Sequence, residues 1–385
     1  MASAHKRSNG AWLGRYRGPD GKERSKSFTR KGDAVRWAQE QENRVRSLDW
    51  TDPTRARVTI GELAETWLAS HEVKPKTRAS YESLLKTCVL PKWGTVRLDR
   101  ITQTAVKTWV TSMTGARGRQ LSASRRRQAY QILTAVLDSA VQDGRIPRNP
   151  ARPTANSGGR ARFLPQLPQS KSRRYLRHDE VLRLADGAGD YRTLVLVLAY
   201  CGVRIGEATA LRVRSVDLLK RRLFVSESLA EVSGRLIFGS TKTHAARSVP
   251  IPAFLTEPLS LAMAGKGRDD LLFTSSQGEP LRQSNWRHRV FDKAAKSAGL
   301  DGVTPHDLRH AAASLAVASG ANVKAVQRML GHSSAAMTLD RYADLFDDEL
   351  DAVAGRLDKA VLEARADLLR TSQSSEVVAL TVVGA

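Results

Sequence analysis

The stretch from Arg145 to Arg174 limits the fold more than any other part of the chain. It holds eight Lys or Arg, no acidic residue, and prolines at 147, 150, 153, 165 and 168. Proline removes a backbone donor and clashes with the preceding helical turn, so this spacing forbids a long helix or a central strand. It predicts an extended, positively charged tether with separate bodies on either side, and 385 residues suffice for two or three domains with cores of their own. The chain carries 62 Lys+Arg against 39 Asp+Glu, a formal charge of +23. Such an excess attracts polyanions and points to nucleic acid, although ribosomal and membrane-surface proteins are basic too. The longest apolar run, Leu194 to Val203, is too short to span a membrane. The N-terminus has no apolar signal core, and Cys88 and Cys201 make neither a metal spacing nor a disulfide framework. These features predict a cytoplasmic protein with no membrane partner.

Before the tether, two regions differ in pattern. Residues 10–29 read as two short strands, with Trp12 and Tyr16 on one face, Leu13, Arg15 and Arg17 on the other, and a turn at Gly18-Pro-Asp-Gly21. A helix follows from about Asp33 to Ser47, with Ala34, Trp37 and Ala38 placed to cover the sheet. Residues 1–57 hold 14 basic and 7 acidic side chains, a net of +7. A small basic sheet backed by a helix can lay its open face along a DNA groove, here through Arg15, Arg17, Lys22 and Arg24. The alternative is a solubilising cap whose charges are merely solvated. From 58 to 150 the pattern is helical throughout. Thr59 and Glu62 have capping-box spacing, and further helices are predicted over Thr77–Val89, Thr102–Met113 and Ser122–Gln142, the last ending at Asp143-Gly144. The apolar stripe Ile132, Leu133, Val136, Leu137, Ala140 and Val141 is core. The run Arg125-Arg126-Arg127 is the candidate DNA contact. The tether's own cations, among them Arg160, Arg162, Lys171, Arg173 and Arg174, would lie along phosphates.

Residues 175–345 form the largest predicted domain. Helices are expected near 179–187, 190–202, 206–212, 253–264, 283–298, 306–319 and 322–330, and strands over 222–225, 235–238 and 247–251. The last two strands place Lys242 near the tip of a β-hairpin. The remainder, 343–385, reverses the charge, with nine acidic and four basic residues. It contains a helical pattern near 346–370 and a β-prone end over 376–383. Docking on a neighbouring subunit, docking on its own sheet, and disorder are all open for this tail.

Chemistry concentrates near the end of that domain, in His306-Asp-Leu-Arg309-His310, Leu330-Gly331-His332 and Tyr342, to be read with Gly202-Val-Arg-Ile-Gly-Glu207 and Ser240-Thr-Lys-Thr243. His306 and Arg309, three apart, share a helix face. A DNA phosphodiester repels nucleophiles and has a poor leaving group. Without a metal, an enzyme must neutralise the phosphate, activate a nucleophile and protonate the leaving oxygen. Arginine grips phosphate oxygens bidentately and stays charged, which suits Arg204 and Arg309 as a clamp. Tyr342 is the candidate nucleophile. With an ordinary pKa of about 10, roughly one phenol in a thousand is ionised at pH 7, so it needs nearby cations and a proton acceptor. His306 and His332 can hydrogen-bond the phosphate or shuttle that proton, Lys242 can protonate the leaving oxygen, and Glu207 can orient Arg204. His310, next to Arg309, is read as packing. No imidazole has ligands at zinc spacing, so no metal or cofactor is assigned.

These motifs resemble those of the tyrosine recombinase family, of the phage integrase type. The resemblance implies a multidomain α+β chain: a small sheet-plus-helix arm-binding domain (1–57), an all-helical core-binding domain (58–150), a basic linker (151–174), a mainly helical catalytic domain with a small antiparallel sheet (175–345), and a C-terminal tail (346–385) as a subunit contact. It implies that Arg204 and Arg309 bind the scissile phosphate, Lys242 is general acid, His306 general base, His332 a phosphate hydrogen bonder and Glu207 their acidic support, with Tyr342 taking the 3′ phosphate. It further implies a homotetramer on double-stranded DNA, exchange through a Holliday junction at core and arm attachment sites, and an excisionase and a DNA-bending accessory protein as partners. Where the family commonly has Thr-Phe-Ala-Thr after the His-Asp-Leu-Arg-His motif, this chain has the smaller Ala311-Ala-Ala-Ser314. The basic N-terminal module favours integration and excision of a phage or mobile element over an Xer-like resolution of dimers. A type IB topoisomerase would need no partner duplex. A catalytically inert DNA-binding regulator would not need all six candidate catalytic groups.

Overall fold

The computed structural model describes residues 2–47, 50–52, 54–115, 118–153, 163–167, 174–241, 246–342, 354–355 and 357–366. The chain separates into two compact units, Met1–Lys171 and Ser172–Ala385.

The first unit opens with an antiparallel sheet in the order β1 (Ser3–Lys6), β2 (Trp12–Arg17), β3 (Glu23–Phe28). β1 goes beyond the two strands expected; Ser3-Ala-His-Lys6 is a short polar edge strand with no alternation to reveal it. Helix α1 (Lys31–Arg46) buries Ala34 and Ala38, and its Trp37 meets Tyr16 edge-on at 5.4 Å. The helical region that follows comprises α2 (Ile60–Ser70), α3 (Pro75–Leu84), α4 (Leu90–Trp93), α5 (Gln103–Ser112) and α6 (Ala123–Gln142). The Thr59–Glu62 capping box forms, with the Thr59 N–H donating to Glu62 Oε2 at 2.8 Å. Between α3 and α4 the chain widens to a π-turn over Leu85–Val89. Pro91 has no N–H to return to the preceding turn, which accounts for the register change there. Trp67, Trp93, Trp109, Leu133 and Leu137 are buried in the shared core.

The second unit begins with α7 (His178–Gly187), α8 (Arg192–Cys201) and α9 (Ile205–Ala208). Every residue from Leu194 to Ala199 is at most 1% exposed, so α8 is wrapped by protein on all sides, as an apolar run of that length requires. The strands are β4 (Val216–Asp217), β5 (Arg222–Val225), β6 (Glu227–Val232), β7 (Arg235–Ser240) and β8 (Arg247–Pro250). They form two antiparallel sheets, β4-β5-β8 and β6-β7. The hairpin expected between 235–238 and 247–251 is therefore corrected: β7 pairs with β6, and β8 crosses to pair with β5, Leu223 opposite Val249. β6 escaped the sequence reading because Glu-Ser-Leu-Ala-Glu-Val favours helix as readily as strand. The rest is helical: α10 (Thr256–Met263), α11 (Gln283–Trp286), α12 (Asp292–Ser297), α13 (Pro305–Ala318), α14 (Val323–Leu330) and α15 (Ala335–Tyr342). Of the tail, residues 357–366 are helical and exposed; the β-prone end lies outside the described residues.

Candidate active site

The site is assembled from the ends of helices. Helix α8 stops at Gly202, which takes the left-handed conformation (φ 62°) that glycine adopts without a steric penalty. The reversal delivers Arg204 to the N-terminal end of α9, where its N–H donates to Glu207 Oε2 at 2.8 Å and its Nη1 to Oε1 at 2.8 Å. Helix α13 starts with proline at its first position and a Thr304–Asp307 capping box. Its first turns carry His306, Arg309 and His310. Helix α14 ends at Gly331, again left-handed (φ 66°), and the chain turns through His332 into α15, whose last residue is Tyr342.

Carbonyl groups and one carboxylate hold these pieces together. Arg309 is 2% exposed. Its Nη1 donates to the Gly202 carbonyl and its Nη2 to the Leu330 carbonyl, so one guanidinium ties the α8 stop to the α14 stop. Glu207 is 1% exposed and is shared by two arginines. Besides Arg204, it accepts from Arg247 Nη2 at 2.6 Å and Nη1 at 3.1 Å. Arg247 Nε in turn donates to the Met329 carbonyl at 3.2 Å. Burial alone would raise the Glu207 pKa, but the hydrogen bonds and charge of Arg247, with Arg204, bring it down to about 2. For Arg309, burial and the charge of Arg204 both work against the charged form. An anion accepted between the two arginines relieves that cost.

Tyr342 is 1% exposed and packs with Val317, Val326 and Leu330. Its hydroxyl lies 2.8 Å from His310 Nδ1. The ring of His332 stacks parallel to the phenol (centroids 6.4 Å apart, planes within 9°) and its Nδ1 is 3.0 Å from Thr338 Oγ1. His306 is exposed one helical turn before His310, and the two rings meet edge-on at 4.8 Å. Burial, then Arg309 and Arg204, lower the His332 pKa to about 4. Burial with Arg309 and Arg341 lowers that of His306. Burial and the neighbouring arginines thus favour the neutral form of both imidazoles. The structure thus gathers Arg204, Glu207, Arg309, His306, His332 and Tyr342 into one site. Lys242 lies outside the described residues.

The chain matches the phage integrase family over residues 174–349 and the phage integrase central domain over 60–157. The prophage phiRv2 integrase of Mycobacterium tuberculosis is 31% identical over 346 residues, covering 86% of this chain and 88% of that protein. The chain belongs to the phage integrase family. It is a DNA recombinase of the tyrosine type, and the family's fold is shared by distant solved structures. The Tn1549 transposon integrase in complex with transposon right end DNA aligns at a TM-score of 0.64 with 21% identity, covering 77% of this chain and 100% of that one. A lambda integrase tetramer bound to a Holliday junction aligns at 0.55 with 23% identity, covering 86% and 95%.

For a phage integrase, two site residues were missed from sequence. Arg247 carried a signal: along β8 and the residue after it, positions 247, 249 and 251 alternate onto one face, and Val249 and Ile251 are buried. An arginine on that face needs a buried carboxylate, which Glu207 supplies. His310 was read as packing, yet it stands four residues after His306 on the same helix face and touches Tyr342. The predicted DNA contacts divide. Arg17 and Lys22 are exposed on the N-terminal sheet and its turn, and Arg15 pairs with Glu23 at 3.3 Å. Arg24 is instead tied into its own domain, bonding Asp20 at 2.7 Å, pairing with Asp52 at 3.0 Å and lying 4.6 Å over the Trp50 ring. Arg125 donates to Ser83 Oγ at 3.0 Å, Arg126 to the Thr111 carbonyl at 3.5 Å and Arg127 to the Pro165 carbonyl at 2.9 Å. These three are half-buried structural cations as well as basic groups. Arg174 pairs with Glu180 at 2.6 Å; Arg160, Arg162, Lys171 and Arg173 lie outside the described residues.

Proposed function

We propose that this integrase cuts and rejoins DNA through a 3′-phosphotyrosyl link on Tyr342. The observation that carries the reading is the meeting of two arginines, Arg204 and Arg309, with a hydrogen-bonded tyrosine on helix ends fixed to one another by the Arg309 bonds to Gly202 and Leu330. Arg204 and Arg309 hold the scissile phosphate and neutralise charge that builds in the transition state. Tyr342 displaces the leaving oxygen, Lys242 protonates it, and His332 donates a hydrogen bond to the phosphate. His306 serves the base function by carrying the Tyr342 proton away from the site. The phosphotyrosyl bond conserves the energy of the broken linkage, so another strand's hydroxyl can reverse the attack without ATP.

Carried over from lambda integrase on its Holliday junction, strand exchange proceeds through such a junction in a homotetramer. The product is integration or excision of a phage or mobile element at attachment sites, with an excisionase and a bending protein setting direction. Residues 1–57 serve as the arm-binding module and 58–150 as the core-binding module. The basic sheet of 1–57 favours this over dimer resolution of the Xer-like kind, which needs no second DNA site. Covalent trapping on nicked duplexes tiled across the DNA flanking the gene tests the reading. A denaturation-resistant adduct is expected with wild type and none with Tyr342→Phe. Binding without any adduct would favour an inert regulator.

A further inference from the structure

The imidazole at hydrogen-bond distance from the Tyr342 hydroxyl is His310, at 2.8 Å. Both side chains are buried, His310 at 9% and Tyr342 at 1% exposure. His306 sits exposed one turn earlier, its ring against the edge of His310 at 4.8 Å. Gathered around the pair are His306 and Arg309 from α13, His332 from the turn before α15, Arg341 from α15 and Arg204 from the start of α9. A proton acceptor must first be within reach of the proton it takes. His310 meets that condition through Nδ1, whereas His306 lies on the solvent side of it.

We infer that His310 accepts the proton of the Tyr342 hydroxyl as that oxygen attacks phosphorus, with His306 placed to pass the proton outward. The inference rests on Tyr342 being the nucleophile. In the step, the Tyr342 Oη–phosphorus bond forms while the bond from phosphorus to the leaving oxygen breaks. The phenolic proton goes to His310 Nδ1, which begins neutral with its hydrogen on Nε2. The electron pair of the broken bond stays on the leaving oxygen, which takes a proton from the general acid. Rejoining returns the proton from His310 to the phenolate. The i, i+4 spacing of His306 and His310 puts both rings on one strip of α13, so the proton has a path from a buried phenol to the surface without moving the helix.

The test is single-turnover adduct formation by the full chain on two nicked duplexes, one with the ordinary oxygen leaving group and one with sulfur in its place, which departs without protonation. His310→Asn keeps an acceptor near the Nδ1 position but cannot take up a proton. It is expected to slow adduct formation roughly 10²- to 10⁴-fold on both duplexes while DNA affinity stays at the wild-type level. The loss should shrink as pH rises toward about 10, where the phenol ionises unaided. His306→Gln, which leaves His310 as the acceptor, should show a smaller loss than His310→Asn on both duplexes. A wild-type rate for His310→Asn, or a loss that pH does not restore, would overturn the assignment and leave His310 as a positioning group. Nitrogen-15 spectra of wild type give a readout independent of any variant's folding: His310 should be neutral in free protein and imidazolium in the trapped adduct, and no change on trapping overturns the inference. An adduct formed by Tyr342→Phe would instead sink the nucleophile reading itself, so the two failures are distinguishable.

Discussion

At the scale of single residues, Glu207 carries most of the electrostatic weight. A carboxylate at 1% exposure survives only because Arg204 and Arg247 bond both of its oxygens. Glu207→Gln leaves two guanidiniums without their counter-charge, one of them in a side chain only 9% exposed, and about 3–5 kcal/mol of stability should be lost. The pH dependence has a definite sign. The folded carboxyl titrates at about 2 against an ordinary 4.5, so its contribution is complete above roughly pH 4.5 and disappears as pH falls toward 2. Denaturant unfolding of wild type from pH 6 to pH 2 should steepen through that window, and the Gln variant should be flatter there by on the order of 3 kcal/mol. Equal slopes would mean that Glu207 is not ionised in the fold. The six candidate catalytic groups and their supporting Glu207 could all be recognised from their motifs; the structure gathers all of them but Lys242, which lies outside the described residues. Arg247 and His310 were harder to see because each acts through a partner distant in sequence. Arg247 needs Glu207, forty positions away, and His310 needs Tyr342, thirty-two positions away.

At the scale of elements, what was legible was local. Helices opened by Thr59, Thr102 and Ser122 begin at those caps, because the cap bond lies within three residues of its own turn. Strand pairing is a contest between distant segments, and there the reading failed: β7 found β6, and β8 found β5. The junction of α14 and α15 offers a sharp test. A Cβ on Gly331 would lie 2.8 Å from Arg247 Cδ, and the residue is left-handed at φ 66°. Gly331→Ala should therefore cost about 1–2 kcal/mol from backbone strain alone, and more from pushing Arg247 off Glu207. Adduct formation should fall further than stability does. Gly331→Asn separates the two causes, since asparagine tolerates the backbone but keeps the Cβ. If Asn restores the rate, crowding against Arg247 was not the source of the defect.

For the whole molecule, the excess of positive charge announced a chain that binds DNA, which its family bears out; the chain separates into two compact units near residue 171. With about ten phosphates neutralised, the logarithm of DNA affinity against that of salt should fall with a slope near −9. Removing residues 1–57 should make it shallower and abolish recombination between attachment sites, with adduct formation on a core duplex retained. A slope unchanged by the deletion would return those residues to the role of a solubilising cap. A polycation of +23 meets a great deal of DNA that is not its target, and the packing of Tyr342 bears on what happens then. A phenol at 1% exposure, packed with Val317, Val326 and Leu330, offers almost no surface to a phosphate that only brushes the protein. Nicking should therefore be rarer on random-sequence duplex than on a core site, and covalent trapping on the two duplexes would show it.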